Sequence, residues 1–130
     1  MAFSVTVVFI AILALIQFPM TLAVGVYRTK TDIRFMDGGD EDMVRRIRAH
    51  ANFIETVPIA LLAMAAAEYA GTPSILLWIG GLMLLVGRLV HYFTIRGSGW
   101  GVGRSAGMAL TFLPVCGFAI LALLASSNII

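Results

Sequence analysis

Residues 1–27, MAFSVTVVFIAILALIQFPMTLAVGVY, carry no charged side chain. A membrane-spanning helix needs roughly 20 mostly apolar residues, so this stretch is long enough to cross hydrocarbon with some tilt. Residues 106–125, AGMALTFLPVCGFAILALLA, are also uncharged and of spanning length, and they predict a second crossing. Between the two, the uncharged run 56–67 is too short to traverse about 30 Å of hydrocarbon at about 1.5 Å per residue. To span, that helix must take polar residues into the membrane. Counting back about 20 residues from Ala67 reaches Arg48, which brings Arg48, His50, Asn52 and Glu55 to lipid depth or its edge. A further span from Ile75 to about Ile95 carries Arg88 and His91 in the same way. Gly71, Thr72 and Pro73 supply the turn before it, with Pro73 suited to a first helical turn. The expected architecture is all-α. It is one domain, residues 1–130, built as a bundle of four transmembrane helices at about 2–27, 41–69, 74–95 and 104–126.

Composition agrees, because 60% of the chain is apolar and only 12% is charged, well beyond a soluble domain's usual apolar share. The charges also fall in blocks rather than alternating along surfaces. Thr21-Leu22-Ala23 has a faint likeness to a signal-peptide cleavage site. The first span is nevertheless expected to be retained, because it lacks a positively charged leader and is longer than a usual signal core. Arg28, Lys30, Arg34, Arg45, Arg46 and Arg48 follow the first span, and Arg88, Arg96 and Arg104 surround the loop after the third. The turn between the second and third spans and both termini hold no lysine or arginine. The positive-inside rule then places the two basic loops in the cytoplasm and both termini on the opposite side. The single cysteine, Cys116, has no internal disulfide partner and is expected as a small packing residue. Trp78, Trp100 and Tyr27 are expected as interfacial anchors.

Charged groups at membrane depth are costly, and they mark a bundle interior or a functional cavity. At 100° per residue, Arg45, Arg48, Asn52 and Glu55 fall within about 80° on one face of the second helix, with Arg46 and His50 on another. Two guanidinium groups, an amide and a carboxylate suit an anionic, zwitterionic ligand. The arginines pair with carboxylates, Glu55 accepts an ammonium group, and Asn52 meets peptide donors and acceptors. The third helix adds Arg88 and, one turn on, His91. Arg104 and Ser105 open the fourth, where free amides favour negative charge. A structural alternative stays open, in which Glu55 pairs with Arg88 or Arg48 as a buried ion pair locking helices together. No metal site is expected, since His50 and His91 lack ligand spacing. Gly97, Gly99, Gly101 and Gly103 lack the strand and lysine of a phosphate loop and are expected to form a turn.

The segment 48–58, RAHANFIETVP, resembles the hallmark of the MAPEG family, the membrane-associated proteins in eicosanoid and glutathione metabolism. The resemblance extends to Tyr27-Arg28 closing the first helix, Asp40-Glu41-Asp42 opening the second, Arg88 in the third and Arg104-Ser105 opening the fourth. It covers essentially the whole chain and is most like a bacterial-type member related to microsomal glutathione transferases. The resemblance implies a homotrimer with glutathione, as co-substrate, held between neighbouring subunits near the cytoplasmic face. Arg28, Arg48, Asn52, Glu55 and Arg88 match positions that hold the tripeptide, and His91 is placed with them. Arg104 matches the arginine that stabilises the thiolate, and Ser105 matches a serine assisting in some members. Two departures count against eicosanoid synthesis. Ala51 stands where some eicosanoid-forming members carry an arginine, and Ile95 where those enzymes carry a tyrosine that His91 or Tyr92 replaces in part.

The expected function is a detoxifying, membrane-bound glutathione transferase or peroxidase whose second substrate is a lipophilic small molecule arriving from the lipid. The expected partners are further copies of the chain and membrane lipids, with no nucleic acid. An alternative within the family is a non-catalytic lipid-binding or scaffold member. A small multidrug transporter is disfavoured, because the first span has no carboxylate and Glu55 lies among arginines.

Overall fold

The computed structural model describes residues 4–127. Among them are four helices: α1 (Val5–Thr31), α2 (Glu41–Tyr69), α3 (Ser74–Arg96) and α4 (Val102–Ser126). All four are long and apolar enough to cross a membrane. With 23 to 29 residues each, they extend about 35–44 Å at 1.5 Å per residue. That exceeds a hydrocarbon core of about 30 Å, so polar helix ends project beyond the lipid. The expected start of the first helix at residue 2 lies outside the described residues. Its end differs from expectation: α1 continues past Tyr27 to Thr31, where Asp32 takes the left-handed conformation (φ 54°) that stops it. Nothing between Tyr27 and Thr31 breaks a helix, and loss of hydropathy is not loss of helicity. α4 likewise starts two residues early, at Val102, which puts Arg104 within the first turn. Pro73 precedes α3 as its N-cap instead of entering the first turn.

α2 and α3 form the middle of the bundle and α1 and α4 flank them. Among the described residues, the backbones of α1 and α4 do not approach each other. The core runs as two apolar clusters, one around Val5, Phe9, Met64, Leu77 and Phe118 and one around Leu13, Phe53, Val57, Ala60 and Leu84. Helices in lipid have no hydrophobic drive to associate, so close packing at small residues takes its place. Gly87 and Gly107 show this. A Cβ on Gly87 would lie 2.9 Å from the Gly107 carbonyl oxygen, and one on Gly107 would lie 2.7 Å from the His91 Cβ. Cys116 is exposed on α4, which corrects its expected packing role. Its helix turns the Thr111, Pro114 and Phe118 side inward and leaves Cys116 on the outer face.

The two ends of the bundle are closed by different chemistry. At one end Asp40 caps α2 through the Met43 amide (2.8 Å) and accepts the Tyr27 hydroxyl (3.0 Å). Asp42 pairs with Arg46 (2.9 Å) and Arg96 (2.8 Å), joining α2 to α3, while Arg46 stacks 4.3 Å over the Tyr27 ring of α1. At the other end Glu68 receives the first amides of α1: Ser4 N (2.9 Å), Val5 N (2.9 Å) and Thr6 N (2.8 Å). A helix N-terminus leaves such donors unsatisfied and favours an anion, so a carboxylate from the end of α2 serves as the cap that α1 lacks. Replacing Glu68 by Ala is expected to cost about 1 kcal/mol, the usual worth of a cap. Thermal unfolding in detergent and faster hydrogen exchange at the Val5 and Thr6 amides would register the loss, whereas unchanged exchange would assign the capping elsewhere.

Candidate functional site

At the end where the two long-loop connections lie, a cavity of about 270 Å³ is lined by Arg45, Arg48, Asn52 and Arg104, with Glu41, Val44, Ile95, Ser98 and Gly99 completing it. α2 supplies Arg45, Arg48 and Asn52 from successive turns of one face, which is the 3.6-residue geometry of the stripe. The 97–101 connection closes one wall. Gly99 (φ 76°) and Gly101 (φ 134°) take backbone angles that L side chains rarely adopt, so this turn depends on glycine. Beyond it, α4 begins and brings in Arg104, whose guanidinium lies 4.9 Å over the Trp100 ring. Arg45 is not free, because Glu41 pairs with it and the Gly97 carbonyl accepts its Nη1 at 2.6 Å. Arg48 is exposed and has no hydrogen-bond or ion-pair partner among the described residues. The cavity thus presents two cations, Arg48 and Arg104, whose charge no carboxylate neutralises, beside an amide.

Other expected site residues lie elsewhere in the chain. Arg28 is half-buried and donates from Nη1 to the Ile33 (3.2 Å) and Met36 (3.0 Å) carbonyls, folding the α1–α2 connection around itself. Glu55 shares the α2 face in sequence but falls outside the cavity. It is exposed and makes no hydrogen bond or ion pair among the described residues. The alternative pairing of Glu55 with Arg88 or Arg48 is therefore absent among the described residues. Ser105 is exposed and does not line the cavity. His91 is buried (2% exposed) against Gly107, and His50 meets the Thr21 hydroxyl at 3.0 Å, tying α2 to α1. Among the described residues no group of three histidine, cysteine or acidic side chains could hold a metal.

Arg88 lies directly behind the cavity and is 1% exposed. Its Nε donates to Thr111 Oγ1 (2.7 Å), and its Nη1 to Asn52 Oδ1 (2.7 Å) and Thr56 Oγ1 (2.9 Å). Its Nη2 donates to the Gly107 carbonyl (3.3 Å) and contacts Met108 Sδ (3.7 Å). All five donors of the guanidinium are matched, and every partner is neutral. Thr56 and Thr111 are functional neighbours that the sequence did not single out. A signal was available, because a buried arginine in an apolar helix requires acceptors, and both threonines fall on the inward faces of α2 and α4.

A family model described as the MAPEG family matches residues 6–124. The chain belongs to the MAPEG family. Inner membrane protein YecN of Escherichia coli strain K12 is 31% identical over 110 residues, covering 83% of this chain and 82% of that protein. The same protein from Escherichia coli O6:H1 gives the same identity and coverage. Membership together with four spanning helices makes this an integral, multi-pass membrane protein and assigns it to the MAPEG sphere of eicosanoid and glutathione metabolism. The MAPEG motif 48–58 occupies the middle of α2, and the helix continues through its Pro58.

Arg88→Lys tests the anchoring of the site. A lysine ammonium cannot reproduce a planar five-donor fork. Losing even one buried hydrogen bond to a charged group should cost about 1.5–3 kcal/mol, read as a fall in thermal stability in detergent. A lysine variant as stable as the wild type would show that the network adds nothing beyond filling space.

Proposed function

We propose that the chain is a membrane-bound glutathione transferase or peroxidase, acting as a homotrimer with its site at the cytoplasmic side. The observation that carries this reading is the convergence of Arg48, Arg104 and Asn52 on one cavity. Uncompensated cations next to an amide are complementary to a peptide carrying carboxylates and a thiol that must ionise. Glutathione is such a molecule and would serve as co-substrate.

An ordinary thiol has a pKa of about 8.5, so about 3% is thiolate at pH 7. A cation within about 4–6 Å lowers an acid's pKa by about 1–3 units, which raises the thiolate to between about a quarter and nearly all. Arg104 fits that role. It stands in the first turn of α4, where backbone amides add to its charge, and its ring contact with Trp100 holds the guanidinium in place. In conjugation the thiolate sulfur forms a bond to an electrophilic carbon, and the electron pair leaves with the displaced group or is protonated on the adduct. In the peroxidase variant two glutathiones become the disulfide while a lipid hydroperoxide is reduced to an alcohol and water. Both second substrates are lipophilic, and the bilayer delivers them.

Three features support a site shared between subunits. The cavity is slightly below the roughly 300–1,000 Å³ of usual ligand pockets and lies open. Glu55 is exposed at membrane depth, where lipid cannot solvate it, and a neighbouring subunit would cover it and bring its ammonium-binding capacity to the ligand. Arg28, near the close of α1, lies at the polar end of the bundle that holds the cavity. The basic loops on one end favour a cytoplasmic site with both termini opposite.

Ultraviolet absorbance of the thiolate, measured on purified protein with glutathione at neutral pH, tests the reading. A thiolate band is expected in the wild type and should vanish in Arg104→Ser while glutathione still binds. The conjugation rate should then fall by about 10²-fold or more, as for loss of an electrostatic stabiliser. Glutathione binding with no thiolate in the wild type would favour the non-catalytic lipid-binding reading.

A further inference from the structure

The hydrogen bonds around Arg88 have a fixed direction. Thr111 Oγ1 donates to the Gly107 carbonyl (2.7 Å), and Thr56 Oγ1 donates to the Asn52 carbonyl (2.8 Å). Each hydroxyl has only one proton, so both must offer lone pairs to Arg88, at Nε (2.7 Å) and Nη1 (2.9 Å). A guanidinium only donates. The Asn52 side-chain atom 2.7 Å from Nη1 is therefore the carbonyl oxygen, whichever way an amide would otherwise be assigned. The Asn52 NH₂ is left as the group that the cavity can meet, and Asn52 lines that cavity beside Arg48 and Arg104. Arg88 itself, 1% exposed with every donor matched, has nothing left to offer a ligand.

We propose that Thr111 and Thr56 are positioning residues: through Arg88 they hold the Asn52 amide with its NH₂ toward the cavity, so that the site selects a ligand with a carbonyl or carboxylate oxygen at that point. The inference rests on the proposed reading of the cavity as the glutathione site. It changes the part assigned to Arg88, from a group that touches the tripeptide to one that orients the group touching it. Preorganisation of this kind works because the donor is aimed before the ligand arrives. The polarity is set two residues away from the cavity, at Thr111, which is 0% exposed.

Calorimetric glutathione binding and thermal unfolding, both on the full chain in detergent, test the inference with separate readouts. Asn52→Asp keeps an oxygen toward Arg88 and gives the buried guanidinium a counter-charge, but it replaces the NH₂ with a second oxygen. The melting temperature should hold or rise while glutathione affinity falls at least tenfold. Asn52→Leu should lower both. Thr111→Val should weaken glutathione binding by the folded protein about three- to tenfold, and Thr111→Ser should restore it. A Thr111 that is merely structural would lower the melting temperature and leave the affinity of the folded protein at the wild-type value, which would overturn the inference. A melting temperature for Asn52→Asp as low as that of Asn52→Leu would overturn the amide orientation with no appeal to a ligand. Absence of glutathione binding by the wild type, with the melting order as expected, would overturn the ligand selection and the proposed function together while leaving the orientation standing.

Discussion

A guanidinium buried in the middle of an apolar bundle, with no carboxylate to pair with, constrains the rest of this protein. Arg88 can be tolerated there only because five donors meet five acceptors. Those acceptors come from α2 and α4, so the charge can be solvated only when three helices are assembled at one spacing. The Gly87–Gly107 contact provides it. With a side chain at either position α3 and α4 would be forced apart, and the Gly107 carbonyl and the Thr111 hydroxyl would move out of reach of Arg88. A buried unmatched charge is far more costly than a buried unmatched amide. Tight glycine packing and the buried charge therefore require each other, and neither is intelligible from one helix alone.

A second, separate network ties the polar end of the bundle together. Arg46, Arg96, Asp40, Asp42 and Tyr27 tie α1, α2 and α3 together in a layer of charge-assisted contacts. That layer lies beyond the apolar clusters, where helices longer than the hydrocarbon emerge. Most of these cations are thereby committed to structure: Arg46 and Arg96 to Asp42, Arg45 to Glu41, Arg28 to loop carbonyls. The two left to line a cavity without a counter-ion are Arg48 and Arg104. Basic composition at this end is thus a poor guide to ligand charge, while the pairing pattern is a good one.

The spans were legible because lipid leaves little choice: an uncharged run of sufficient length is a helix, and the polar residues of the second and third helices follow from counting turns. The face shared by Arg45, Arg48 and Asn52 was legible for the same reason. What periodicity could not give was depth and direction. Glu55 is on the same angular stripe, yet it is exposed, while Asn52 and Thr56 on either side of it reach Arg88. Glu68 gave no signal, since a lone acid after an apolar run looks like a solvated helix end until α1 is placed against it. Cys116 misled through composition: small apolar residues pack well, but in a membrane bundle the outer face is equally apolar, so residue type no longer separates inside from outside. Thr56 and Thr111 were hidden by their ordinariness, and only the demand of Arg88 for acceptors picks them out.

That demand bears on how a protein of 130 residues builds a polar site in so small a bundle. A direct ion pair between Arg88 and an acid would neutralise the buried charge most simply, but it would add a second charged group to be desolvated and would bring a carboxylate up to the cavity lined by Arg48 and Arg104. Hydroxyls and carbonyls avoid this. They compensate the guanidinium as dipoles, leave its positive field uncancelled behind the cavity, and fix a neutral amide in front of it. An anionic ligand approaching Arg48 and Arg104 then meets the Asn52 amide and not a carboxylate at that wall, and the one acid in the lining, Glu41, is paired with Arg45. The use of threonine and asparagine instead of aspartate or glutamate around Arg88 leaves the positive charge of Arg48 and Arg104 in the cavity lining without an added carboxylate. The exposed Glu55 lies outside that cavity and would serve the opposite end of a zwitterion only in the proposed assembly.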